Sequence, residues 1–234
     1  MQVNDGYAII VEKVWKVYKI GKNEYPALRG LTLNVREGEM LSVMGPSGSG
    51  KSTFLHIAGT LDRPTSGRVI LNGIDTSGLS DSELSEIRNK LIGFVFQSFN
   101  LISRLTALEN VALPLAVRGV PLHERQAASL EALRLVGLEN KAKKKPTELS
   151  GGEQQRVAIA RGLVGKPKIL LADEPTGNLD SKNSQVVVEI LRNINESFGT
   201  TVVVVTHNPE VAEKCDRIIR LRDGVVESEV VLHA

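Results

Sequence analysis

Two glycine-rich turns and one pair of carboxylates carry the chemistry of this chain. Gly45-Pro46-Ser47-Gly48-Ser49-Gly50-Lys51-Ser52-Thr53 follows an apolar run and opens a stretch with helical spacing. Glycines at these positions let backbone N–H groups turn inward on an anion, and a helix N-terminus adds positive potential. In such a phosphate loop Lys51 is placed to reach β- and γ-phosphates, and Ser52 to offer its hydroxyl to Mg²⁺. Ile169-Leu170-Leu171-Ala172-Asp173-Glu174 reads as a buried strand that delivers two acids at its C-terminal end, where open α/β sheets bind ligands. Asp173 suits a Mg²⁺ shell, and Glu174 suits accepting a proton from an attacking water. The third feature, Leu149-Ser150-Gly151-Gly152-Glu153, is a second anion-facing turn. Ser150 offers a hydroxyl, Gly151 and Gly152 let N–H groups approach closely, and a helix beginning near Glu153 presents its positive end.

The elements that position these residues alternate. Residues 7–18, 31–35, Met40–Met44, 67–71 and 91–96 read as strands, with a helix over 51–59 and a hairpin signal at Asn72-Gly73. Between about 98 and 165 the spacing of Leu, Ala and Val turns helical, over Ala107–Val117, 122–136 and 153–163. Strands return at 168–172, 200–206 and 217–221, with a helix over 181–195. This order predicts an α/β fold with a mostly parallel sheet and a helical insertion.

Composition sets bounds. The chain has 234 residues, 41% hydrophobic and 24% charged, with a net charge of +2, so bulk electrostatics do not draw it to nucleic acid. No run approaches the roughly 20 apolar residues that span a bilayer. Residues 1–6 lack the pattern of a signal peptide, which leads us to expect a soluble, intracellular protein. The sequon Asn195-Glu196-Ser197 is then a chance match, and the lone Cys215 a packed side chain rather than a reactive thiol. Lys141, Lys143, Lys144 and Lys145 read as a solvated loop end.

Taken together, the phosphate loop, the turn at 149–153 and Asp173-Glu174 resemble the ATPase subunit of an ABC transporter, over nearly the whole chain. The resemblance implies a phosphate-loop NTPase core with a mixed, mostly parallel sheet, an antiparallel β subdomain and a helical subdomain. It implies one domain, with residues 1–97 and 166–234 in the core and about 98–165 in the helical part. It also implies further site residues. Tyr18 falls where an aromatic stacks on adenine, and Gln97 where a glutamine touches Mg²⁺ and the lytic water. Asn178-Leu179-Asp180 matches the loop that joins the site near the signature, and His207 the histidine that contacts the γ-phosphate.

In the family two copies pack head to tail, each signature turn closing on the ATP held by the other. A separate transmembrane permease is driven from the cytoplasmic face of the membrane, so membrane contact is indirect. The run Ser98 to Leu105, with Phe99, Leu101, Ile102 and Leu105, is apolar enough to receive a helix of that permease. The runs Phe99 to Val111, Leu61 to Gly67 and Ala172 to Asp180 are similar to the macrolide-exporter and lipoprotein-release ATPases. A cell-division ATPase that signals rather than transports is the alternative. Soluble relatives acting on DNA or ribosomes carry tandem domains, long coiled coils or zinc cysteines, which this chain lacks. An ordinary kinase or GTPase would not need the turn at 149–153. Two departures stand out: the signature ends in Glu153 where many relatives carry Gln, and the joining loop reads Gly-Asn-Leu-Asp where Ser-Ala-Leu-Asp is commoner. The first puts an acceptor where a neutral donor is expected near phosphate.

Overall fold

The computed structural model describes residues 6–232, so residues 1–5, read above for a leader, lie outside it. Two long strands, β1 (Tyr7–Ile20) and β2 (Asn23–Arg36), form an antiparallel ribbon. β3 (Met40–Met44) is buried at every position and runs into the phosphate loop, which opens α1 (Lys51–Ala58). β4 (Ser66–Leu71) turns into β5 (Ile74–Asp75) through Asn72 and Gly73, at φ 48° and 79°, the positive values that a two-residue hairpin needs. These four strands make an antiparallel sheet in the order β2-β1-β4-β5.

Next come α2 (Asp81–Leu91), β6 (Ile92–Phe96), α3 (Ala107–Val117), α4 (Leu122–Leu135), α5 (Gly151–Leu163) and β7 (Ile169–Asp173). The chain closes with α6 (Ser181–Phe198), β8 (Thr201–Val205), α7 (Pro209–Ala212), β9 (Arg217–Arg222) and β10 (Val225–Val231). The second sheet has six strands in the order β10-β9-β3-β8-β7-β6, all parallel except β10 on the edge. Both faces of it are covered, as a parallel sheet requires. Val202 and Val204 of β8 pack with residues of α3 to α6, while Val203 and Val205 pack with β1, β2 and α1. The first of these clusters runs without a break from the sheet into the three-helix insertion.

Several elements go beyond the sequence reading, the one-turn α7 among them. The first half of β2 is largely exposed and holds Pro26, so it has no apolar period of its own; it exists because β1 pairs with it through Tyr25 and Pro26. β10 is exposed except at the half-buried Val226 and pairs only with β9. α2 buries only Leu84, so helical periodicity is too faint to announce it; the local signal that marks its start is the capping box of Ser80 and Glu83. Two incidental expectations held. Asn195 is buried, its amide donating to the Gly38 and Thr200 carbonyls at 2.7 and 2.9 Å. Cys215 is fully buried, and burial pushes its thiol up to about 12. The central sheet sets stability. Leu171→Ala, at a fully buried position of β7, is expected to cost about 2–5 kcal/mol, read as a lowered urea midpoint at unchanged slope.

Candidate functional site

Because β3, β8, β7 and β6 run parallel, their C-terminal ends meet at one edge of the sheet. Those ends carry the phosphate loop, His207, Asp173-Glu174 and Gln97 respectively. A cavity of about 510 Å³ opens there, lined by Ala27, the whole loop from Gly45 to Thr53, Glu174 and His207. Two glycines of the loop are obligatory. Gly45 and Gly50 sit at φ 153° and 100°; a Cβ on Gly45 would run into the Leu221 carbonyl, and one on Gly50 would lie 2.6 Å from the Ala27 oxygen. Lys51 folds back over the loop, its ammonium donating to the Gly45 and Pro46 carbonyls at 2.8 and 3.0 Å. The buried Ser49 hydroxyl has no partner among the described residues. A cradle with a cation, a helix N-terminus and an unspent hydroxyl fits a phosphate chain.

Behind the loop, the Ser52 hydroxyl reaches toward Asp173 Oδ1 at 3.5 Å. Burial, with the neighbouring Glu174 charge adding to it, pushes the Asp173 carboxyl above its usual range. An acid destabilised in this way gains from a cation beside it. The described residues contain no cluster of three or more His, Cys, Asp or Glu able to hold a metal alone. Hydroxyl and carboxylate oxygens in small number are the donor set of Mg²⁺, which completes its shell with phosphate and water.

Glu174 adopts a left-handed conformation at φ 45°, fixed by its N–H donating to the Val205 carbonyl at 2.8 Å. Its carboxylate meets His207 Nδ1 at 2.8 Å and the His207 N–H at 3.4 Å. The glutamate side chain is 16% exposed and the histidine 71%, so the carboxylate is sheltered and its partner faces the opening.

The remaining expected residues lie outside the cavity lining. Gln97 turns to the loop before α6: its side-chain amide lies 3.4 Å from Asn178 Oδ1, while Asn178 donates to the Gln97 carbonyl at 3.0 Å. Asp180 caps α6, accepting from the Asn183 N–H at 2.8 Å and its side chain at 2.7 Å. Tyr18, at the end of β1, has the Thr53 side chain beside it and is 36% exposed.

Ser150 to Glu153 form the N-terminus of α5, whose first helical residue is Gly151 rather than Glu153. Ser150 Oγ accepts from the Glu153 N–H at 3.3 Å and Glu153 accepts from the Ser150 N–H at 2.9 Å, a capping box. Gly152 leaves no room for a Cβ, which would strike the Asn183 side chain, so this turn packs directly on the start of α6. Glu153 spends its carboxylate on its own cap and on Lys141 at 3.5 Å. A Gln oxygen accepts the same N–H, so either residue serves. The basic run is partly paired: Lys141 with Glu153, and Lys144 with Glu148 at 2.9 Å. Two residues at the site escaped the sequence reading. Ala27 lines the cavity with no chemical signal, and Asp62, which accepts from the Tyr18 hydroxyl at 3.0 Å, is polar but unremarkable in sequence.

The Ser150 N–H, first among the causes, holds the Glu153 carboxyl below the usual carboxylate range. A depressed folded-state value gives stability that is present above the unfolded-state value and lost as pH falls through the folded one. Glu153→Ala is thus expected to lose about 0.5–2 kcal/mol near pH 7, with the gap to the parent closing below about pH 4. Glu153→Gln should keep most of the stability, and parallel urea melts across pH check both.

The family described as ABC transporter matches residues 28–177. Among curated proteins, the lipoprotein-releasing system ATP-binding protein LolD 1 of Rhodopseudomonas palustris is 50% identical over 218 residues, covering 92% of this chain and 96% of that one. The macrolide export ATP-binding/permease protein MacB of Rhodopirellula baltica is 48% identical over 217 residues, 92% of this chain but 32% of that longer protein. The solved cassette MJ0796, an ATP-binding protein of Methanocaldococcus jannaschii, was determined as a dimer and superposes with a TM-score of 0.90. It is 52% identical, covering 97% of this chain and 99% of that one. A second structure of it is a dimeric post-hydrolysis state bound to ADP and Pi. On its sequence, its fold and the arrangement of its phosphate loop, acids and signature turn, the chain belongs to the ABC transporter family as an ATP-binding cassette of the macrolide-exporter and lipoprotein-release group.

Proposed function

We propose that the chain is the ATP-hydrolysing motor of a transporter of the export or lipoprotein-release type. Two copies close head to tail around two ATP and drive a separate permease from the cytoplasmic face of the membrane. The observation that carries the reading is a separation: Ser150, Gly151, Gly152 and Glu153 do not line the cavity of about 510 Å³ that holds the phosphate loop. A second anion-facing helix start that serves no site in its own chain is explained by a site in another copy. The dimeric form of MJ0796, and its capture with ADP and Pi, support that arrangement.

The roles follow from position. Lys51 and the loop N–H groups hold the β- and γ-phosphates. Ser52 and Asp173 are the residues that would hold Mg²⁺, with Gln97 as a further ligand, and the ion would supply positive charge beside the phosphates. Glu174 accepts the proton of the attacking water, and His207 orients it and reaches for the γ-phosphate. Asp180, Ser150, Gly151 and Gly152 face the nucleotide of the partner copy, and Tyr18 stacks on adenine. We read residues 1–97 and 166–234 as the core and about 98–165 as the helical part of one domain.

No helix among the described residues is long and apolar enough to cross a membrane. The chain aligns with 96% of LolD 1 and with 32% of the longer macrolide export protein, whose name joins such an ATP-binding part to a permease. The permease seat is a groove of about 420 Å³ between α2 and the helical insertion, lined by Arg88, Arg118, Arg161, Phe94 and Phe96 and by no carboxylate. Phe94 and Phe96 stack at 5.6 Å. The run Ser98 to Leu105 contributes only Asn100 to that groove. It forms a rim instead, held by Arg161 on the Phe99 and Asn100 carbonyls and by Asn110 on Ile102 and Leu105.

Removing the base should trap the closed state. Glu174→Gln is expected to bind Mg-ATP, to hydrolyse it about 10²–10⁴-fold more slowly, and to elute as a dimer with two nucleotides. A variant that stays monomeric with ATP at high protein concentration would contradict the sandwich. Lys51→Ala should fail earlier, at nucleotide binding by calorimetry. Ser150→Ala should lower turnover and leave ATP binding by the monomer intact.

A further inference from the structure

Tyr18 does not stand alone. Its hydroxyl donates to Asp62 Oδ2 at 3.0 Å. Asp62 Oδ1 takes the Lys16 ammonium at 2.6 Å and the Arg63 N–H at 2.7 Å. The same ammonium donates to the Arg63 carbonyl at 2.8 Å and lies 4.9 Å from the centroid of the Tyr18 ring. The Lys16 side chain is 13% exposed, so this cation is committed to the cluster rather than to solvent. Partial burial alone would raise the Asp62 carboxyl, but Lys16, the Arg63 N–H and the Tyr18 hydroxyl outweigh it and hold the acid below its usual range. Two further bonds tie the same segments together: the Val17 N–H donates to Thr65 Oγ1 at 3.0 Å, and the Thr65 N–H to the Trp15 carbonyl at 2.8 Å.

What the cluster joins matters more than its count of bonds. Lys16 and Tyr18 belong to β1 of the antiparallel sheet, whereas Asp62 hangs from the C-terminal end of α1, whose N-terminus is the phosphate loop. The Asp62 N–H donates to the His56 carbonyl at 3.2 Å, fixing it to that helix. A nucleotide gripped at both ends needs a fixed distance between its base platform and its phosphate cradle. One face of an aromatic ring occupied by a cation also leaves the other for a planar base.

The geometry points to Asp62 and Lys16 as positioning residues that hold the Tyr18 ring at a set height over the phosphate loop, and so set the affinity for the adenosine part of ATP. The inference rests on Tyr18 being the base platform, and it adds two residues that act only through that ring. They touch neither phosphate nor the attacking water.

Purified variants, assayed for ATP turnover and for inhibition by inorganic tripolyphosphate, test this. Asp62→Asn and Lys16→Met are expected to raise KM for Mg-ATP about five- to tenfold, with kcat within about twofold and the tripolyphosphate inhibition constant unchanged. Tyr18→Phe keeps the ring and removes only the hydroxyl; it should raise KM similarly, and combining it with Asp62→Asn should add little, since both break one bond. An unchanged KM in these three variants, alongside a raised one in Tyr18→Ala, would overturn the positioning role while sparing the platform. No effect of Tyr18→Ala would remove the platform itself, and the inference with it. Loss of tripolyphosphate affinity in Asp62→Asn and Lys16→Met would overturn it too, because the residues would then be holding the loop rather than the ring.

Discussion

Hydrogen bonding of β3 to β8 and of β8 to β7, parallel in both cases, places three strand ends side by side, and each end releases a different functional group. β3 gives the loop that wraps phosphate, β7 the two acids, and β8 the histidine that reaches Glu174. Antiparallel pairing at any one of these positions would send its group to the opposite edge. The burial of both faces, with alternate valines of β8 entering different clusters, enforces this register, since a one-residue slip would exchange the two faces. The conformations at the strand ends then aim the groups. Gly45 allows the chain to pass the Leu221 carbonyl, and the left-handed turn at Glu174 directs its carboxylate to His207.

The same local device recurs where helices begin. Ser80 with Glu83, Thr106 with Glu109 and Ser150 with Glu153 are capping boxes. At the signature turn the box has a second consequence. Ser150 Oγ accepts from the Glu153 N–H and so keeps its proton free to give, while the acid pairs with Lys141. A residue that looked like a flaw in an anion site is instead part of the turn that shapes it. Gly152 packs closely on Asn183, which sets this turn against the start of α6, which Asp180 caps.

Much of this was legible in sequence because the signals are local. Continuous apolar runs at Met40–Met44 and Ile169–Asp173 name buried strands, and the glycine spacing from Gly45 to Gly50 names a loop that must turn tightly. What stayed hidden depends on partners far along the chain. β10 and the first half of β2 have no periodicity, only a neighbour to bond with. Asp62 lies 44 residues from Tyr18, so nothing in either segment announces the other. Gln97 was legible as a residue but not in its orientation, which Asn178 decides.

In the proposed dimer the phosphate loop of one copy is completed by the signature turn of another. Mixing two impaired variants tests this arrangement: Lys51→Ala, broken at the loop, and Ser150→Ala, weakened at the signature. A mixed pair assembled head to tail contains one site with both defects and one with neither. The account predicts that the mixture hydrolyses ATP well above the summed rates of the separate variants. A mixture no faster than that sum would contradict it.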